Sequence, residues 1–528
     1  MFWGTWHCAG MYPGTWAQQT PEKIALVMAG SGRSLTYREL DERSLRLAHH
    51  LQDIGLQPGD VVTIVSDNTP EAYEVYWAAV RSGLYVTFVN NHLSTDEMAY
   101  IVENSGAKAL VISARVPAAR ALAFAGETMA FGGSAEELRA EGYADYETVL
   151  AGASAEPLAD QPRGEDMLYS SGTTGRPKGI KRSMTGLQVD DPGGDGVAEV
   201  ASQLYGFSQD VVYLSPAPVY HAAPLKYGAA VHTLGGTLVM MERFDAQGFL
   251  EAVQRFGITH TQVVPTMFVR MLKLPAEVRA AYDLSSLQCV IHAAAPCPVD
   301  VKRRMIEWFG PIIMEYYAST EAMGGTFIDS ATWLEHPGSV GKPMLGPVHI
   351  VGEDGRELGA GEVGTIYFER PEGRTFSYHN DPAKTAEAFH PTEDWTTVGD
   401  LGYVDEEGYL FLTDRKAFMI ISGGVNIYPQ EIEDVYSLHE AVSDIAVIGV
   451  PDEEMGERVV AFVEPAPDAV PGPELAEELR TYARERIAHY KVPKEFIFSD
   501  DLPRTPTGKM VKGKLKARYD EMRDLAHA

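Results

Sequence analysis

The sequence predicts an α/β fold: a β-α-β region with substantial parallel pairing at the N-terminus and a small separate α+β unit at the C-terminus. Three observations carry this. Residues 34–113 alternate helix-period and strand-period segments, a β-α-β rhythm that calls for a sheet with substantial parallel pairing under a layer of helices. From residue 337 the texture changes to short strands and turns, as in PGSVGKPMLGPVHIVGEDGRELGAGEVGTIYFERP. The C-terminal stretch then reads as a helix, two strands, a Pro-rich loop and a further helix, with a lysine-rich end.

The elements follow in order. SLTYRELDERSLRLAHHLQDIG is an amphipathic helix closed by Gly55, and DVVTIVSDN is a buried strand. Thr69-Pro70 opens the helix EAYEVYWAAVRSG, with proline in the first turn where its missing N–H costs nothing. YVTFVN is a strand. Ser94 and Glu97 form a capping box for STDEMAYIVENSG, and AKALVIS is the next strand. Residues 151–166 are a polar, small-residue linker, and residues 189–196 a Gly/Asp loop. Further on, EIEDVYSLHEAVSDIAVIGVP gives helix then strand and ERVVAFVEP gives a strand. ELAEELRTYARERIAHY carries acids early and bases late, matching a helix dipole.

Bulk properties narrow the function. At 528 residues the chain has room for two or more domains. Its hydrophobic share of 45% and charged share of 22% are those of an ordinary globular protein. A net charge of −30 argues against a broad nucleic-acid or anionic-membrane surface, so an anionic ligand needs a local site. The cysteines are Cys8, Cys289 and Cys297, an odd and sparse set that fits a reducing compartment without a disulfide framework. The start, MFWGTWHCAGMYPG, lacks the basic region and apolar run of a signal peptide. No stretch approaches the roughly 18 apolar residues of a membrane span. The expected location is therefore the cytoplasm.

The stretch Tyr169–Lys181 reads YSSGTTGRPKGIK. It has too little apolar surface for a core strand and too many helix breakers for a helix interior. Glycines free backbone N–H groups to converge on one spot, and hydroxyls and a lysine add donors, which is how a chain grips phosphate oxygens. The common phosphate loop G-x4-G-K-[ST] does not fit: from Gly172 the second glycine position falls on Pro177, and from Gly175 on Ile180. Gly359, Gly361 and Gly364 fit G-x-G-x-x-G but lead into the strand TIYFE, not a helix, so they are not a dinucleotide fingerprint.

Seven segments now stand in one order: YSSGTTGRPKG, SPAPVYHAAPL, HAAAPCP, YYASTEA, DWTTVGDLGYVDEEGYLFLTDRK, ISGGVNIYPQEIE and PRTPTGK. This series resembles the adenylate-forming (AMP-binding) superfamily, acyl-CoA synthetase branch, over nearly the whole chain. The resemblance implies the adenylate-forming fold, a large N-terminal domain of mixed sheets with helices plus a small mobile α+β C-terminal domain: residues 1–413 binding AMP and acyl group, a hinge at 414–417, and residues 418–528. It implies that a carboxylate attacks the α-phosphate of Mg·ATP to give acyl-AMP and pyrophosphate, and that coenzyme A then displaces AMP.

Residue by residue, the resemblance assigns Ser170, Ser171, Gly172, Thr173, Thr174, Gly175 and Lys178 to the β,γ-phosphates. Tyr317 stacks on adenine, Thr320 donates to the α-phosphate and Glu321 ligates Mg²⁺. Ala294 and Ala295 belong to the adenine-side turn, with Ala293 at a usual glycine. Asp400 accepts the ribose hydroxyls, one carboxylate suiting a vicinal diol, and Arg415 adds a ribose or phosphate contact. Lys509 bridges the substrate carboxylate and α-phosphate as charge builds. His221, Ala293 and Ala318 bound the acyl pocket, Ala318 replacing a usual glycine. Gly423 and Gly424 flank the pantetheine tunnel of CoA. Ala417 and Phe418 depart from the family's usual hinge residues, which bears on the balance between the two half-reactions. Lys512, Lys514 and Lys516 are expected as solvated lysines, and Cys289, His292 and Cys297 as buried residues, not a metal site.

With no charged residue in the pocket motifs to pair with a substrate ammonium, a hydrophobic acid fits: fatty, aryl or steroid side-chain. The implied partners are that acid, ATP and CoA, with no nucleic acid, no integral membrane segment, and a homodimer as candidate assembly. The alternatives are an acyl-AMP ligase that loads a carrier protein and a non-catalytic nucleotide-binding regulator.

Overall fold

The computed structural model describes residues 11–170, 177–371, 375–415, 418–452, 454–504 and 510–527. Three sheets organise them, of 8, 14 and 5 strands.

The 8-stranded sheet is the β-α-β region expected from the sequence. Strands Val61–Val65, Tyr85–Val89, Ala107–Ser113 and Glu127–Phe131 pair in parallel. The first two are buried at every position, the pattern of strands covered on both faces. Between this sheet and the larger one lies the helix Pro70–Val80, buried on all sides. Apart from Glu71 and Glu74, which pair with Arg33 and Arg43 at 2.7 Å, the helix is apolar or aromatic all round and so keeps no solvent face. Its polar atoms bond inward: Tyr73 Oη donates to the Pro224 carbonyl at 3.1 Å, and Trp77 Nε1 to His232 Nδ1 at 3.2 Å. That bond needs Nδ1 unprotonated, and burial holds the His232 pKa down at about 3.

The caps behave as local rules require. Ser94 and Glu97 cap the helix Thr95–Ser105 reciprocally, and Thr36 and Glu39 do the same for Tyr37–Asp53. Thr69 differs: it stands at the N-cap of Pro70–Val80 without a side-chain cap bond, and its hydroxyl meets Ser66 Oγ at 3.3 Å.

The stretch read as too polar for a strand is corrected in part. Glu165–Ser170 and Lys178–Arg182 are strands paired antiparallel, with Leu168 opposite Ile180 and Ser170 opposite Lys178. Leu168 and Ile180 are both buried, and two inward apolar side chains plus the backbone ladder suffice. Residues 171–176 connect these strands and lie outside the described residues.

In the 14-stranded sheet, His260–Val263, Cys289–His292 and Ile313–Ala318 run parallel. Gly325–Ile328 and Ser339–Leu345 continue it antiparallel, and Asp400–Val404 and Leu410–Arg415 extend that half. The change from parallel to antiparallel pairing at Ile313–Ala318 explains the change of texture along the chain. Short hairpin-linked strands need no crossover helices. The C-terminal residues build the 5-stranded sheet on the long pair Val442–Asp452 and Gly456–Pro465, with the helices Pro429–Tyr436 and Pro473–Arg484 packed on it. No helix among the described residues is long and apolar enough to cross a membrane.

Candidate active site

A cavity of about 1300 Å³ opens where these units meet. The C-terminal end of the strand Ile313–Ala318 delivers Tyr316, Tyr317 and Ala318 to it, and the turn that follows adds Ser319, Thr320 and Glu321. Ser170 and Lys178 reach it from the two ends of the hairpin, Ala294 and Ala295 from the turn after Cys289–His292, and Asp400 from the start of its strand. His221 enters at the N-cap of the helix Ala222–Leu234. Strand ends and helix starts leave side chains and backbone donors uncommitted to ladders, so functional groups gather there.

Tyr317 Oη donates to Asp400 Oδ2 at 2.7 Å, joining two residues assigned separately to adenine and ribose. Glu321 is only 7% exposed. Tyr378 Oη donates to Glu321 Oε1 at 2.8 Å, and the Lys178 ammonium stands 5.2 Å from the Tyr378 ring centroid. Burial, and then the nearby Lys384 charge, hold the Lys178 pKa below the usual lysine value. Tyr378 lies on the short strand Phe376–Tyr378, paired with Lys178–Arg182. Sequence reading missed it: FSYHN carries no motif, and only the pairing Tyr378↔Ile180 puts it between Glu321 and Lys178.

Two alanines hold left-handed backbone: Ala294 at φ +75° and Ala322 at φ +56°. Both line the cavity. Such φ values strain any residue with a Cβ and are found where surrounding structure enforces them. The strained position in AAAP is Ala294; Ala293 is buried behind it and is not among the cavity-lining residues.

Other assigned residues stand apart. Gly423 and Gly424 form the exposed turn of a hairpin at φ +58° and +79°, away from the cavity wall. Arg415 ends a strand and pairs with Asp400 across the ladder; its side chain lies outside the described set. Ser171, Gly172, Thr173, Thr174, Gly175, Ala417 and Lys509 lie outside the described residues.

The C-terminal domain lines the same cavity through Phe418, Gln430, Glu433, Asp434 and Lys512. Lys512 corrects an expectation: it is 6% exposed, not solvated, and pairs with Glu433 at 2.8 Å. Its ammonium also stands 5.6 Å from the Phe418 ring, a cation beside an aromatic face. Lys514 and Lys516 are exposed as expected.

Burial, reinforced by the Glu433 and Glu431 charges, pushes the Asp434 pKa up to about 7, against the Gln430 amide and Lys512. Below about pH 4 folded and unfolded chains both hold this proton. Between about pH 4 and 7 only the unfolded chain releases it, so stability falls as pH rises through that window and levels off above it. Asp434→Asn is expected to remove this slope, read from thermal melts at pH 5 and pH 8.

The AMP-binding enzyme family model matches residues 14–376, and the AMP-binding enzyme C-terminal domain matches residues 431–509. The chain belongs to the AMP-binding enzyme family. Among its relatives, a feruloyl-CoA synthase of Amycolatopsis sp is 34% identical, covering 97% of this chain and 99% of that one. A fatty acid–acyl-carrier-protein ligase of Streptomyces coeruleorubidus is 31% identical over 95% of each chain. The structure of o-succinylbenzoate CoA synthetase from Bacillus subtilis with its acyl-adenylate matches with a TM-score of 0.76 at 27% identity, covering 96% of this chain and 97% of that one. This family member is an AMP-forming acid–thiol ligase of the acyl-CoA synthetase branch, a branch that works with ATP, Mg²⁺ and CoA.

The site suits these ligands. Among the described residues no group of three His, Cys, Asp or Glu side chains forms a protein cage for a metal. Glu321 alone, oriented by Tyr378, matches an ion held by one carboxylate together with phosphate oxygens, as Mg²⁺ is.

Proposed function

We propose that the chain converts a hydrophobic carboxylic acid to its CoA thioester through an acyl-AMP held in the cavity of about 1300 Å³. The observation that carries this is the convergence on that one cavity of Ser170, Lys178, His221, Ala318, Thr320, Glu321 and Asp400. Lys178 with Ser170–Gly175 grips the leaving pyrophosphate. Glu321 holds Mg²⁺, which when bound neutralises charge on the phosphates. Thr320 donates to the α-phosphate, and Tyr317, Ala294 and Ala295 bound the adenine. Asp400, already oriented by Tyr317, accepts the ribose hydroxyls with Arg415 beside it. Lys509 supplies the cation at the reacting oxygens. The acid lies between His221 and Ala318, with Ala293 behind the wall.

In this reading residues 1–413 and 418–528 are two domains, and rotation about 414–417 brings Gly423 and Gly424 to the cavity for the thiol step. The reaction belongs to the cytoplasm, where ATP and CoA are at hand. Incubation with ATP, Mg²⁺, CoA and a broad panel of acids is expected to release AMP and an acyl-CoA. If no acid yields AMP, the proposal fails.

A second reading is favoured by the carrier-protein ligase at 31% identity. There the acceptor is a carrier protein's phosphopantetheine thiol. Pyrophosphate exchange into ATP without CoA turnover would select it.

A further inference from the structure

Four tyrosines gather at one wall of the cavity. The rings of Tyr205 and Tyr227 are 6.1 Å apart, those of Tyr227 and Tyr316 also 6.1 Å, and Tyr213 stacks on Tyr227 at 6.4 Å. Tyr205, Tyr227, Tyr316 and the Gln262 carboxamide line the cavity itself. Tyr205 and Tyr227 come from helices, and sheet register brings Tyr316 and Gln262 together. Gln262, Ile291 and Met314 are in line across three parallel strands, so they share a face, and Tyr316 is two residues on from Met314 on that same face.

The hydroxyls at this wall are poorly served by the protein. Tyr205 is 4% exposed, and neither its hydroxyl nor that of Tyr213 has a well-formed hydrogen bond. The contact between Gln262 Nε2 and Tyr316 Oη is long, at 3.5 Å. The Tyr205, Tyr227 and Tyr316 hydroxyls interact chiefly with one another, and burial raises the pKa of all three. A buried hydroxyl without a well-formed bond costs free energy, and the Tyr205 hydroxyl, on the cavity lining, is one that a polar group entering the cavity completes.

That group is uncharged. The cavity's Glu165, Asp166 and Asp195 are paired with Arg182, Lys226 and Arg163. At the wall itself the Tyr205, Tyr227 and Tyr316 hydroxyls act on one another and on no charged neighbour that stands out, so these paired acids and bases leave no charge there to hold a distal carboxylate or ammonium. The flat faces of Tyr205, Tyr227 and Tyr316, with Tyr220 and His221 also on the lining, favour an aromatic ring over a flexible alkyl chain.

Resting on the ligase reading above, we propose that the acid is a hydroxyaryl carboxylic acid. Its ring hydroxyl is received by Tyr205, Tyr227, Tyr316 and Gln262 while its carboxylate lies toward Thr320 and Ala318. These four side chains are then the specificity determinants of the reaction.

The test uses the full-length enzyme with ATP, Mg²⁺ and CoA, following AMP release with matched acids. The pairs are 4-hydroxycinnamic against cinnamic acid and 4-hydroxybenzoic against benzoic acid, with dodecanoic acid as the alkyl comparison. In at least one pair the hydroxylated acid is expected to exceed its deoxy analogue in kcat/KM by about 100-fold, since a site built to bond a hydroxyl rejects the analogue lacking one. Dodecanoic acid should fall below that hydroxylated acid. Tyr205→Phe, or Tyr227→Phe where the first variant folds poorly, should narrow the preference by about 10-fold. The ratio of two substrates on one preparation is independent of the folded fraction. Equal or better use of the deoxy or alkyl acids overturns the inference and leaves the ligase reading standing. So does an unchanged ratio in both variants. Failure of every acid in the broad panel to yield AMP overturns both.

Discussion

Lys509→Ala is expected to lower the rate of acyl-AMP formation by about 10²–10³-fold, the scale of losing one electrostatic contact to the charge that builds in the transition state. Thioester formation from supplied acyl-AMP should fall by no more than several-fold. The carboxylate of the acid and the α-phosphate of ATP repel as they approach, and an ammonium between them stabilises the transition state more than the ground state. Once acyl-AMP exists, that repulsion is gone and the thiol step no longer needs the same cation. Single-turnover measurement of each half-reaction separates the two. Equal loss in both steps would mean that Lys509 positions a domain and does not serve the chemistry.

Glu321→Gln is expected to lower kcat/KM for adenylation by about 10²–10³-fold and to raise the Mg²⁺ concentration needed for half-maximal rate. The amide keeps the shape and can still accept from Tyr378, but it loses the charge that holds a divalent cation. Pyrophosphate release titrated against Mg²⁺ checks this. Tyr378→Phe removes only the 2.8 Å bond that orients the carboxylate. Its effect should be smaller, about 10-fold, and visible in the Mg²⁺ dependence as well as in rate. A Glu321→Gln enzyme with an unchanged Mg²⁺ requirement would remove Glu321 from the metal site.

The sequence was informative wherever chemistry or local geometry resides in consecutive residues. YYASTEA places a tyrosine, a threonine and a carboxylate at one strand end, and the fold delivers Tyr317, Thr320 and Glu321 to the cavity together. Capping boxes were legible for the same reason, since Ser94 and Glu97 bond within one turn. Lys512 was misread because its burial depends on Glu433 and Phe418, dozens of residues upstream. The stretch Tyr169–Lys181 was misread because strand pairing depends on partners that its own composition does not reveal.

By itself the sequence determined the family, the order of the chemical motifs and the capped start of the helix Thr95–Ser105, because each rests on short-range patterns that survive without a partner. Other helix ends moved: Ser34–Thr36 is a strand, and the helix Pro473–Arg484 stops short of the expected Tyr490. The tertiary structure alone decided that Tyr205, Tyr227, Tyr316 and Tyr378, of the 25 tyrosines, reach the cavity. Tyr378 reaches Glu321 through the pairing of two short strands. Tyr316 meets Gln262 through sheet register, and Tyr205 and Tyr227 join Tyr316 from the helices Gly196–Tyr205 and Ala222–Leu234. Register is fixed by which faces can be buried. That is a property of the whole core, so no local stretch of the sequence encodes where these hydroxyls converge.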